Sequence, residues 1–205
     1  MSVGDSASFQ LNADSLYTKN FHSRTIPSFV EPGSMLTCNV KLVTIETQEE
    51  AKAHREKRIA EREAKDAQRK ASETDTINKY LTDNHLKIKP ETDGMYILSD
   101  KKGKGKKLVQ EGDSVEVKYT AMLLDNTVID GSDHGDERTT YSFVYKKDPQ
   151  LKGMEDALSN MKEGEEIKAL FPSSLAFGNQ QQGPLVEPYT PLLFDITLVK
   201  IKSGK

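Results

Sequence analysis

The sequence predicts an α+β fold in which antiparallel strands pack on one short helix, and three observations carry that reading. From Met95 onward apolar residues alternate at period two, at Met95 and Ile97, at Val115, Val117 and Tyr119, and again at Phe194, Ile196 and Leu198. This is the pattern of a sheet with one wet face. Between these runs, residues 149 to 161 place Leu151, Met154, Leu158 and Met161 at helical spacing. Ahead of them, residues 48 to 73 alternate charges with alanine and contain neither Gly nor Pro, which reads as a long solvated helix.

The 205 residues suffice for one domain with additional material, or for two small domains. Hydrophobic residues are 35% and charged residues 30% of the chain, so one segment is expected to be solvated along its whole length. A net charge of -3 supplies no field for holding nucleic acid or an anionic membrane, and neither partner is expected. No apolar run is long enough to span a bilayer, and residues 1 to 10 lack the layout of a secretory signal. The single cysteine, Cys38, cannot close an intramolecular disulfide, so the compartment stays open.

An internal repeat sets the organisation. Met1, Gly4, Asp5 and Tyr17 answer Met161, Gly164, Glu165 and Phe177 at a constant offset. After a loop that is longer in the first copy, Phe29-Val30-Glu31-Pro32 answers Leu185-Val186-Glu187-Pro188. Then Leu36, Val40 and Leu42 answer Leu192, Ile196 and Leu198. The first copy, residues 1–47, therefore reads as the C-terminal half of a domain, while the second copy has a full set of preceding elements. Because Met1 falls opposite the internal Met161, the simplest expectation is a longer natural protein; the alternative is a genuine half copy that packs on something else. Its unpartnered strands should leave exposed sheet edges. Cys38 falls opposite Phe194 and is expected in the core.

Residues 48–89 form the arm between the copies. Glu61 with Lys65, and Asp66 with Lys70, stand one helical turn apart, and residues 48 to 73 would reach roughly 40 Å as a helix. Ala53, Ala60 and Ala67 recur at coiled-coil spacing but bury little area, so the arm reads as a spacer, with weak self-association as the alternative. Thr74 or Asp75 can cap a second, short helix whose apolar face, Ile77, Tyr80 and Leu81, needs somewhere to dock. In residues 90–205, Asp125-Asn126 reads as a hairpin turn and Asp148-Pro149 opens the short helix.

Ordered motifs then accumulate: Gly112-Asp113-Ser114-Val115, Val117-Lys118-Tyr119-Thr120, Thr127-Val128-Ile129-Asp130, Leu151-Lys152-Gly153-Met154-Glu155, Phe171-Pro172, Leu175-Ala176-Phe177-Gly178 and Pro191-Leu192-Leu193-Phe194-Asp195. From Met95 to Ile201 the chain resembles the FKBP family of peptidyl-prolyl cis-trans isomerases. The resemblance implies a strongly bent antiparallel sheet wrapped on one short helix, preceded here by the charged helix and half of a second FKBP-like domain. It implies proline-containing polypeptide clients, no cofactor and no metal. It places catalytic roles at Tyr119, Asp130, Leu151 through its backbone N–H, and Phe177. Substrate binding falls to Ile129, Tyr141, Gln150, Met154, Val186 and Phe194. Similar tandem proteins with charged arms are often exported by bacteria, so a periplasmic or envelope-anchored site is expected if a longer N-terminus exists.

The chemistry that the resemblance implies asks little of acids and bases, because the barrier is rotation about a partial double bond of about 18–20 kcal/mol. A pocket that strips water from the imide, and that binds the twisted peptide better than either planar isomer, lowers it. Members with strong activity usually carry Trp where this chain has Met154, Tyr where it has Phe177, and often Phe where it has Ile129; Glu187 stands where Pro is usual. Reduced isomerase activity is therefore expected, with a non-catalytic chaperone-like module for extended chains as the alternative. The lysines from Lys101 to Lys107 read as a solvated loop, and His22, His54, His85 and His134 lack ligand spacing.

Overall fold

Two short alternating runs pair near the start of the chain: β1 (Ser6–Asn12) and β2 (Met35–Lys41) form an antiparallel two-stranded sheet. A helical turn, α1 (Ala13–Ser15), follows β1, and the Asn12 side chain caps it by accepting from the Ser15 N–H at 2.9 Å. The computed structural model describes residues 1–20, 30–31, 33–91, 93–133 and 139–204. Phe29 and Pro32 of the repeat, with His22 and His134, lie outside the described residues. Two compact units make up the chain, Met1–Ile59 and Ala60–Lys205, and the division falls within helix α2 (Gln48–Asp83).

Helix α2 runs without a break through Thr74 and Asp75, where the sequence predicts a second helix to be capped. On either side of these two residues hydroxyls bond back along the continuous helix: Ser72 Oγ donates to the Arg69 carbonyl at 3.2 Å and Thr76 Oγ1 to the Ser72 carbonyl at 2.9 Å. Asp66 pairs with Arg62 at 3.8 Å and with Arg69 at 3.1 Å, while the Lys70 ammonium lies 5.8 Å from the centre of the Tyr189 ring.

In the second unit β3 (Tyr96–Lys101), β4 (Ser114–Met122), β5 (Val128–Gly131), β6 (Tyr141–Val144), β7 (Glu166–Phe171) and β8 (Leu192–Lys202) form one antiparallel sheet in the order β3-β7-β8-β4-β5, with β6 also on β4. Irregularities at Ala121/Met122, Glu116/Val117 and Ile97/Ser99 interrupt the ladders where the sheet must bend. The turn between β4 and β5 is closed by the Leu123 N–H donating to the Thr127 carbonyl, with Asn126 at φ 66°, as Asp125-Asn126 predicts.

The inner face packs on α3 (Lys152–Ser159), a shorter helix than the run from 149 to 161 suggests. Pro149 and Gln150 stay outside it because Leu151 is the N-cap, in extended conformation. Val115, Val117, Ala169, Phe171, Leu192, Ile196 and Leu198 from the sheet meet Met154, Ala157 and Leu158 from the helix in one buried cluster. The outer face is not uniformly wet. Met122, Leu170 and Leu193 project from it, and Ile77 and Leu81 of α2 cover them, with Tyr80 alongside. The apolar face of residues 77–81 thus docks on the back of the sheet. Glu73 adds polar contacts, accepting from the Ser173 N–H and from its hydroxyl at 2.8 Å.

Cys38 is exposed, contrary to its expected place in the core. Its counterpart Phe194 is buried because β4 pairs beside it and α3 lies over its face.

Asp113 is buried at the turn into β4 and accepts from Lys107 Nζ at 2.7 Å and from the N–H groups of Gln110 and Gly204. The Lys107 ammonium, more than the two amides, holds its carboxyl below the usual carboxylate range against the opposing effect of burial. An unfolded aspartate titrates near 3.9, so as pH falls through that region the unfolded chain takes up its proton first. The Asp113 contribution is therefore fully present above about pH 4 and is lost as pH falls through the depressed folded-state value. In urea unfolding, the stability gap between wild type and Asp113→Asn is expected to hold steady from about pH 5 to 8 and to close at lower pH. A gap independent of pH would remove the ionic account.

Candidate active site

A cavity of ≈ 350 Å³ opens where β4, β5 and β6 approach the start of α3. Its walls are the rings of Tyr119 and Tyr141, its base is Met154, and Pro149, Leu151 and Phe177 complete the apolar lining. Asp130 and Gln150 are the polar groups that reach it.

Each wall has a local reason for its position. Tyr119 lies on the inner face of β4, braced through its backbone: its N–H donates to Ser132 Oγ at 3.2 Å, and its carbonyl accepts from the Ser132 N–H at 2.9 Å. Behind it Phe194 lies nearly parallel at 6.5 Å between centroids, and Phe171 stacks on Phe194 at 4.6 Å. Tyr141 meets Tyr119 edge-on, at 6.0 Å and 72°. The Gln150 amide donates to the Tyr141 hydroxyl at 3.0 Å, which ties the entrance of α3 to β6.

The Tyr119 hydroxyl donates to Asp130 Oδ2 at 2.9 Å, and Asp130 Oδ1 accepts from the Gly131 N–H at 2.8 Å. Burial first, and the Asp130 carboxylate second, push the Tyr119 phenol above the ordinary tyrosine range. The phenol therefore stays neutral throughout the physiological range and points its proton at Asp130. Leu151 gives its carbonyl to the Met154 and Glu155 N–H groups, and as the N-cap its own N–H lies outside the helical ladder.

Of the residues the sequence singles out, Tyr119, Asp130, Tyr141, Gln150, Leu151, Met154 and Phe177 share this cavity. Phe194 stands one layer behind, as the backing of Tyr119. Val186 is buried in the core at the base of a loop closed by reciprocal bonds between Gln182 and Val186, and Ile129 packs against the core from β5. Sequence reasoning missed Pro149, read only as a helix opener, and Ser132, which is buried and positions Tyr119. The Asp130-Gly131-Ser132 run carried a signal for the second, since a hydroxyl two residues after a strand-end acid can bond the neighbouring strand.

A larger cavity of ≈ 470 Å³ lies against the other side of α3, lined by Met95, Ile97, Met161 and Ile167 with Asp100, Lys102 and Glu165. It has no aromatic wall, and Lys102 is held there by Asp100 at 2.6 Å and Glu165 at 3.0 Å.

No helix among the described residues is long and apolar enough to cross a membrane. Residues 105–199 match the family pattern of the FKBP-type peptidyl-prolyl cis-trans isomerases. The chain is 37% identical over 103 residues to a macrophage infectivity potentiator of Trypanosoma cruzi, covering 50% of this chain and 50% of that protein, so it spans half the length of that relative. It is 32% identical over 115 residues to an FK506-binding protein 1A of Neurospora crassa, covering 56% of this chain and 93% of the relative. Among solved structures, FkpA from Escherichia coli superposes with a TM-score of 0.61 at 26% identity, over 80% of this chain and 76% of that one. A bent antiparallel sheet on one short helix, an aromatic cavity where they meet, and sequence identity running along nearly the whole of a small relative agree: the chain belongs to the FKBP-type peptidyl-prolyl cis-trans isomerase family.

Proposed function

We propose that the second unit accelerates rotation about X-Pro bonds in polypeptide clients by desolvating the imide in the cavity of Tyr119, Tyr141, Leu151, Met154 and Phe177. The observation that carries this reading is the convergence of these side chains on one apolar space, where Asp130, the carboxylate among the described lining residues, is already engaged by the Tyr119 hydroxyl. A proline ring seated on Met154 would leave its imide among rings and aliphatic groups, where the charge-separated planar form is disfavoured relative to the twisted one. The Leu151 N–H is the donor available to orient a flanking carbonyl. Nothing in this scheme requires a nucleophile or a change of protonation state.

Phe177 supplies a ring but no hydroxyl. A single hydrogen bond contributes about 0.5–1.5 kcal/mol, so Phe177→Tyr is expected to raise kcat/KM by roughly 2- to 10-fold if the added phenol bonds the client only in the twisted state. A proline-limited refolding assay measures this. Wild-type protein that suppresses aggregation of a denatured client while leaving the refolding rate unchanged at micromolar concentration would replace the proposal with a holding function.

Two finer points belong to the same proposal. Envelope placement in a bacterium is supported by the resemblance to exported proteins with charged helical arms, and cell fractionation tests it. Weak self-association through α2 is supported by the exposure of Ala53, Ala60 and Ala67 on that helix, and sedimentation tests it.

A further inference from the structure

The first unit repeats the β7–β8 hairpin of the complete domain pair for pair. Ala7 faces Val40 as Ile167 faces Ile196, Phe9 faces Cys38 as Ala169 faces Phe194, and Leu11 faces Leu36 as Phe171 faces Leu192. The entry turn is copied as well. The Gly4 N–H donates to the Leu42 carbonyl at 2.8 Å, as that of Gly164 does to Leu198 at 2.7 Å, and both glycines have positive φ, 97° and 82°. The Leu42 N–H donates to the Asp5 carbonyl at 2.9 Å, and the Leu198 N–H to that of Glu165 at 3.0 Å. Even the side-chain bond within the turn recurs, from the Ser2 N–H to Asp5 and from the Lys162 N–H to Glu165.

The match extends to the size of one cross-strand pair. A ring and a small side chain face each other in both hairpins, but the ring has moved from β8, as Phe194, to β1, as Phe9, leaving Cys38 opposite in place of Ala169. A ring exchanged between facing strands keeps the volume offered to whatever lies over the sheet, which is how a buried surface tolerates substitution.

What differs is cover. In the complete domain the equivalent face is closed: Ala169 and Phe171 are 0% exposed and Ile196 1%. In the first unit Phe9 is 48% exposed, Leu11 39% and Val40 42%. The register says what does the closing, because β4 pairs along the free edge of β8, β3 along that of β7, and α3 lies over the face between them. All three come from residues 95–161.

The opposite face excludes a different occupant. In the complete domain Leu170 and Leu193 form an apolar patch on the outer face, and helix α2 covers it. Their register equivalents in the first unit are Gln10 and Thr37, both exposed. Only Met35, at the end of β2, is apolar among the described residues of that face, which gives a docking helix little to bury. Phe9, Leu11 and Val40 lie on the side that a front half of the fold would occupy.

We propose that the β1–β2 hairpin is a docking surface for an FKBP-like front half. This is a polypeptide segment with the pattern of residues 95–161: antiparallel strands that extend both edges of the hairpin, which pair with no other strand among the described residues, and one amphipathic helix that covers Phe9, Leu11 and Val40. Main-chain pairing at two edges would supply most of the specificity of register, and the apolar face the stabilisation.

Cys38 reports on the proposal directly, because it is the one cysteine of the chain, it is exposed, and its counterpart Phe194 pairs with Ala121 of β4 and is 2% exposed. A second copy of residues 95–160 is joined directly ahead of Met1 in the full chain, so that Met1 follows the segment as Met161 does. Alkylation of Cys38 under native conditions is expected to slow at least about tenfold relative to the unextended chain, because reaction would then require local opening. Amide exchange along β2 should slow in the same protein as its free edge acquires a partner. Val40→Lys, which the exposed position tolerates in the unextended chain, should return the thiol to its original rate by placing a charge where Ile196 is buried.

Three results would overturn the assignment. The first is a thiol as reactive in the extended chain as in the original. The second is protection that survives Val40→Lys, which would mark nonspecific cover. The third is concentration-dependent protection already present in the unextended chain, which would make a second copy the occupant.

Discussion

Leu81→Ala is expected to lower the stability of the second unit by about 2–4 kcal/mol while leaving the cavity intact. Leu81 is 7% exposed and Ile77 4%, and together they cover Met122, Leu170 and Leu193 on the back of the sheet. Truncation removes the transfer free energy of the lost methyl groups and opens a hole over Leu170 and Leu193, both 0% exposed and part of rigid strands that have little room to collapse. For a unit of this size each kcal/mol shifts the melting temperature by roughly 2–4 °C, so a fall near 10 °C should be read by circular dichroism. The cavity lies on the opposite face of the sheet, so kcat/KM measured well below melting should stay within about twofold of wild type. Unchanged stability would mean that the end of α2 is not held to the sheet. A large activity loss at full folding would mean that the two faces are coupled through β4 and β8.

Gly153→Ala carries the second large effect, and its sign is the test. In a solvated helix this substitution stabilises by about 0.5–1 kcal/mol, because glycine loses the most backbone freedom on folding. Here the added Cβ would meet the ring of Phe171 at 2.7, 2.8 and 2.9 Å. That ring cannot yield as the end of a long side chain would: Phe171 is 0% exposed and stacks at 4.6 Å on Phe194, which backs Tyr119. The helix must move away from the sheet, at a cost of about 1–3 kcal/mol for overpacking. Met154 and Leu151, which line the cavity, would move with it. Urea unfolding should show net destabilisation, and the refolding assay a drop in kcat/KM larger than the lost folded fraction explains. A stabilised Gly153→Ala protein would show that α3 does not pack on Phe171 as closely as these distances require.

These two sites also show where sequence reasoning reaches its limit. The glycine at 153 is legible as part of a family motif, but not the reason for it, since the constraint comes from a ring on β7 that only the packed domain brings near. Ile77, Tyr80 and Leu81 are legible as an apolar face in need of a partner. The partner was hidden because Met122, Leu170 and Leu193 sit at positions where alternation alone assigns solvent. The seven residues that share the cavity could be named in advance because the ordered motifs from Gly112 to Asp195 resemble the FKBP family and the resemblance places them there; period-two spacing by itself marks Tyr119 only as a strand residue. Pro149 could not be ranked, because a helix opener looks the same in sequence whether or not it adjoins a cavity, and the signal at Ser132, a hydroxyl just past a strand, does not say which backbone it braces.

Local physics is written in the chain itself: strand and helix periods, the Asp125-Asn126 turn, the repeat of residues 1–17 in 161–177, and the order of the motifs from Gly112 to Asp195. The periods and the turn depend on neighbours a few positions away and determined the α+β class, while the cavity lining was legible only through the family resemblance that the ordered motifs carry. Burial depends on what another part of the fold lays over a strand. That is why tertiary structure alone decided that Cys38 is exposed while Phe194 is buried in the same register, that α2 runs on to cover the back of the sheet, and that the Tyr119 hydroxyl is committed to Asp130.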